Sequence, residues 1–198
     1  FPQAPAAKGA YMMLTDLYVI DKKTDRALAT LDEMIKRYGD DKAFLTSAHL
    51  KRGDLLGASG KKEEAMQEYL LLRDKFTDTP IGLQMPLYIA QVFRVYGNKE
   101  RAQEEFVNSV AYYDQLSREN RGTFLGYMAL NYKMQAYLSV GQYEDAGQVI
   151  DAVLAEYPSQ MTFYQQLANI EMIYERILGD VPKEIGRASC RERVYHPV

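Results

Sequence analysis

One small residue returns four times along this chain, each time with a turn before it and a bulky residue one helical turn after it. The small residues are Ala27, Ala65, Ala102 and Ala146, and the bulky ones are Leu31, Tyr69, Phe106 and Ile150. Successive alanines are 38, 37 and 44 residues apart. A period in this range marks a solenoid of helical hairpins, each too small to bury its apolar face alone. Apolar residues fall at helical spacing throughout, as in Leu28, Leu31 and Ile35, or Val149, Val153 and Tyr157. No segment alternates with period two, so the expected class is all-α, with about nine helices paired as A and B.

The turns support this pairing. Gly60, Gly97 and Gly141 each sit where an A helix should close, because glycine adopts positive φ without a steric penalty. Pro80 and Pro158 each follow a B helix, where proline stops the run and presets the next entry. The recurring alanine has a packing reason: A and B backbones approach most closely over a small side chain, and the bulky residue one turn later fills the space toward the next unit. Gly53, Ala90 and Ala168 serve the same end on A helices.

With these positions in hand, the chain resembles a tetratricopeptide repeat array. The best copy reads Leu130, Met134, Tyr137, Gly141, Ala146, Ile150, Val153, Pro158, and earlier copies include Ile89, Ala90, Phe93, Gly97, Ala102, Phe106 and Tyr11, Leu14, Tyr18, Ala27, Leu31. The resemblance implies a right-handed superhelical solenoid over roughly residues 8–183. Three departures stand out: there is no tryptophan, Arg52 and Lys133 occupy places where leucine is usual, and insertions at 39–45 and 113–123 lengthen helices or turns.

The expected organisation is a linker at 1–8, then repeats at about 9–40, 44–78, 82–116 and 125–158, and a half repeat at 160–183. The stretch EIGRASCRERVY, within 184–198, resembles the in-frame translation of a sequencing adapter and is read as a non-native tail. The sole cysteine, Cys190, lies there, so the remainder offers no disulfide, thiolate metal site or cysteine nucleophile. The half repeat lacks its second helix and is expected to fray or to self-associate.

Net charge is −3, which argues against a nucleic-acid partner. No run of about eighteen apolar residues is present, so direct membrane insertion is not expected. His49 is the only histidine outside the tail, and with no nucleophile or metal-ligand spacing beside it, it reads as a packing residue. No phosphate-binding loop, dinucleotide fingerprint or metalloprotease string occurs. The expectation is a non-enzyme with no cofactor and no metal site. The lack of cysteine leans toward a bacterial periplasm or envelope, with the cytoplasm as alternative.

The resemblance also places a concave groove on the A helices. Carried onto this chain, the groove comprises Asp16 and Val19; Leu50 and Asp54; Leu87, Gln91 and Arg94; Asn131, Gln135 and Leu138; and Gln165, Asn169 and Met172. Side-chain amides both donate and accept, so Gln91, Asn131, Gln135, Gln165 and Asn169 suit an extended peptide backbone. Family members that clamp a terminal carboxylate use lysines and asparagines here. This chain has Asp54 and Gln91 at the centre and only Arg94 basic, so no such clamp is expected. The reading is a scaffold holding a peptide or protein partner in its groove. The alternative is a structural arm of a bacterial envelope assembly, docking through convex or terminal surfaces.

Overall fold

The computed structural model describes residues 5–157. Eight α-helices account for the regular structure there, and no strand occurs among the described residues: α1 (Pro5–Ile20), α2 (Thr24–Arg37), α3 (Lys42–Ala58), α4 (Lys62–Lys75), α5 (Pro80–Val95), α6 (Lys99–Glu119), α7 (Phe124–Ser139) and α8 (Tyr143–Glu156). The expected ninth helix, the half repeat at 160–183 and the tail at 184–198 lie outside the described residues.

Helix α1 begins at Pro5, inside what sequence reads as a linker. Proline suits a first helical position, Ala6 and Ala7 favour continuation, and Lys8 is tied down by an ion pair to Asp41.

Each turn from an odd to an even helix closes in the same way. Lys22, Gly60, Gly97 and Gly141 all have φ between 57° and 83°. The next residue's amide reaches back across the turn: Lys23 N–H to Tyr18 O at 2.8 Å, Lys61 to Leu56 at 3.0 Å, Asn98 to Phe93 at 3.0 Å and Gln142 to Tyr137 at 3.0 Å. This is the Schellman closure, which satisfies carbonyls the helix end would otherwise orphan.

Each return from an even to an odd helix is also a repeated device. Asp41, Thr79 and Thr123 cap α3, α5 and α7, accepting from the N–H of Phe44, Gly82 and Gly126 at 3.0, 3.0 and 3.2 Å. Two caps share the pattern Thr-x-x-Gly, and its glycine is required by contact. A Cβ on Gly82 would stand 1.9 Å from Phe76 O, and one on Gly126 2.3 Å from Asn120 O. Glycine here lets one helix start almost touching the backbone where its predecessor ends.

These devices explain the period. A 16-residue helix, a 14-residue helix, a three-residue turn and a four-residue turn make the 37-residue unit. The 38-residue interval reflects α3, which has 17 residues. The 44-residue interval reflects α6, which has 21 and so exceeds its counterparts by seven residues. Seven residues are close to two helical turns, so the added length preserves the buried face. The insertion expected at 113–123 therefore extends a helix, and the third hairpin runs to Glu119 instead of ending at 116.

The chain divides into two compact units, Phe1–Tyr113 and Asp114–Val198. In the first, α1 packs on α2, α2 on α3, α3 on both α4 and α5, and α4 on α5. Its cores gather Leu31, Met34 and Ala48, and then Leu56, Ala65, Tyr69, Leu72, Met85 and Ile89. Pro86 lies inside α5, and the buried Tyr113 hydroxyl meets the helix backbone around it. It donates to Leu83 O at 2.9 Å and receives Leu87 N–H at 3.4 Å. In the second unit, α7 packs on α8 around Tyr127, Leu130, Met134, Ala146, Ile150 and Val153. All four recurring alanines are buried, as are the four bulky residues that follow them.

Candidate functional site

Counting from the turn residue of each odd helix organises the candidate residues. Six positions before Lys22, Gly60, Gly97 and Gly141 stand Asp16, Asp54, Gln91 and Gln135. Asp16, Asp54 and Gln135 are exposed and Gln91 is half-buried, so this position opens to solvent in all four helices. Three positions before the turn stand Val19, Gly57, Arg94 and Leu138. Arg94 is exposed with its guanidinium 5.5 Å over the Phe106 ring, and Leu138 is half-buried against the core of the second unit.

Ten positions before the turn the side chain points inward. Leu87 is 2% exposed and Asn131 is 5% exposed, so neither lines an open surface, contrary to the sequence expectation. Both stand one turn nearer the helix start than Gln91 and Gln135, on nearly the same side, where the helix is covered. Asn131 donates through Nδ2 to Tyr127 O at 3.0 Å, and its Oδ1 is buried with no partner. Gln165 and Asn169 lie outside the described residues.

The most developed constellation surrounds Asp54 on α3. Tyr69 of α4 and Tyr88 of α5 both donate to one carboxylate oxygen, Oδ1, at 2.9 and 2.7 Å. Their rings meet edge to face with centroids 5.2 Å apart. Glycines on α3 make the approach feasible: a Cβ on Gly53 would lie 2.6 Å from Tyr69 Cε1, and one on Gly57 would lie 2.6 Å from the Tyr96 hydroxyl. Three tyrosines from two neighbouring helices thus gather against a glycine-bared strip of α3, with Asp54 at its edge. Burial, joined by the hydrogen bond to Asp54, pushes the Tyr88 hydroxyl up to about 12 and that of Tyr69 higher still. Both therefore remain donors across the physiological range.

Asp16 is held by the same geometry with different chemistry. Nine positions before each turn, Lys51 reaches Asp16 and Tyr88 reaches Asp54, in both cases from the following odd helix. Asp16 thus faces a cation, whereas Asp54 faces two hydroxyls. Sequence reasoning found Asp54 and read Tyr69 as core, as its burial bears out, but passed over Tyr88 and Tyr96. The available signal was the Gly53–Gly57 pair flanking an acid, which leaves room for rings.

His49 lies beneath a different network. Its Nδ1 is 2.6 Å from Glu68 Oε2, while Arg52 pairs with Glu68 Oε1 and places Nε 2.8 Å from Asp32 Oδ1. Both oxygens of the buried Glu68 are engaged, so the cluster is a strut joining α2, α3 and α4. Among the described residues no group of three or more histidine, cysteine or acidic side chains could hold a metal ion, and no helix is long and apolar enough to cross a membrane.

No family model matches the chain, and no curated protein matches it. Among solved structures it is similar to BtubC (BKLC) from P. vanneervenii, with 18% identity and a TM-score of 0.53 over 98% of this chain and 84% of that one. At this identity the likeness concerns the fold alone.

Proposed function

We infer that the chain is a non-catalytic interaction scaffold of the tetratricopeptide type, which holds a peptide or protein partner on the solvent-facing side of its odd-numbered helices. The observation that carries this reading is the recurrence, at one position of each of the four described odd helices, of an accessible polar side chain: Asp16, Asp54, Gln91 and Gln135. The frame around these residues is fixed by identical turns and caps, so the repeats present them from rigid helices instead of loops. Gln91 and Gln135 supply both donors and acceptors to a peptide backbone, and Arg94 and Leu138 stand beside them one turn on. Neither charge nor any ligand cluster suggests a reaction.

Affinity selection of a pooled nonapeptide library on the full chain tests the reading. Gln91→Ala and, independently, Gln135→Ala should each weaken the selected peptides by about three- to tenfold, the worth of one or two backbone hydrogen bonds, with far-UV helicity unchanged. Undiminished affinity in both variants would remove the odd-helix face from consideration.

A further inference from the structure

Resting on that reading, we propose that Asp54 is a recognition point for a basic side chain, lysine or arginine, of the bound peptide. Its carboxylate is split in function. Oδ1 receives both tyrosine hydroxyls, which fixes the group's rotamer, while Oδ2 has no partner among the described residues. The side chain is exposed, and no lysine, arginine or histidine pairs with it there. Contrast Asp16, the same repeat position one unit earlier, whose charge is already met by Lys51. A carboxylate held still before the ligand arrives loses little entropy on binding, and its bond to an ammonium or guanidinium is charge-assisted.

The aromatic surround adds to the selection for a cation. Tyr88 and Tyr96 are half-buried beside Asp54, and ring faces attract cations. The chain already shows this attraction at the margin of the site, where the Lys62 ammonium lies 4.7 Å over the Tyr96 ring. An acidic ligand group would be repelled by Asp54. Gln91 holds the same repeat position within the same compact unit, so a backbone-directed amide accompanies the one position that demands positive charge.

The test uses the full chain and labelled nonapeptides of alternating serine and alanine, with arginine, lysine, norleucine or glutamate at the centre, read by fluorescence anisotropy at low and high salt. The expected result is a preference of about tenfold for the two basic peptides over norleucine, with glutamate weakest, and a preference that shrinks in high salt. Asp54→Asn keeps an oxygen acceptor for both tyrosines, so its thermal midpoint should stay near that of the parent while the preference disappears. Equal binding of basic and norleucine peptides, or an intact preference in Asp54→Asn, overturns the proposal and leaves the scaffold reading in place. Failure of all four peptides to bind overturns both.

Discussion

Lys22 stands where three other repeats place glycine, and it alone among the non-glycine described residues has positive φ, at 57°. A side chain in this region crowds its own backbone, at a cost of about 1–2 kcal/mol for an L-residue. Lys22→Gly should therefore stabilise the chain by about 1 kcal/mol, read as a raised urea midpoint with an unchanged slope. A lowered midpoint would mean that the four turns are not energetically alike. The three turn glycines were legible in the sequence, because a glycine just past an apolar period has few other uses. Lys22 was less legible, since its conformation is imposed by the hairpin and not by its own preference. The same asymmetry governs the site. Asp54 could be placed by counting along a helix, whereas its tyrosines come from α4 and α5 and become neighbours only through packing. Leu87 and Asn131 were misplaced because burial changes along one side of a helix with what packs over it, and spacing alone does not show that.

Arg52 and Lys133, which stand where the resemblance leads one to expect leucine, acquire a reason at the level of elements. Each is a basic residue of an odd helix that reaches a carboxylate of the even helix before it: Arg52 to Asp32 on α2, and Lys133 to Asp114 on α6 at 2.5 Å. Leucine would contribute only apolar area at this junction, whereas an ion pair also fixes register. Lys133 and Asp114 are partly shielded from water, so a double-mutant cycle with Lys133→Met and Asp114→Ala should return a favourable coupling of about 1 kcal/mol. A coupling near zero would show that the pair only decorates the surface. The start of α3 gives a pH-dependent counterpart. The Lys8 ammonium, and then the Phe44 N–H, hold the Asp41 carboxyl below its usual range. A depressed acid contributes stability above its unfolded value of about 3.9, and that contribution is lost as pH falls through the folded value. The difference in urea midpoint between the parent and Asp41→Asn, which keeps the cap but not the charge, should be present at neutral pH and close on acidification. A difference that persists in acid would assign the effect to the cap alone. None of these partners could be read from sequence, because ion pairs between helices depend on how the hairpins stack.

At the scale of the molecule, repetition made the all-helical class readable: one buried alanine and one bulky residue per unit, with a turn glycine in three of the four, recur too regularly for any other class. The length of α6 was readable only as an interval, since extra residues can enter a turn as easily as a helix. Repetition also places a polar side chain at an equivalent, solvent-accessible position of each odd-numbered helix among the described residues. A photoreactive benzoylphenylalanine at position 91, on an odd helix, compared with one at the exposed position 107, on even helix α6, tests that placement most directly. With the pooled nonapeptide library as bait, the account predicts crosslinked peptide at 91 and none at 107; crosslinking at 107 alone would contradict it.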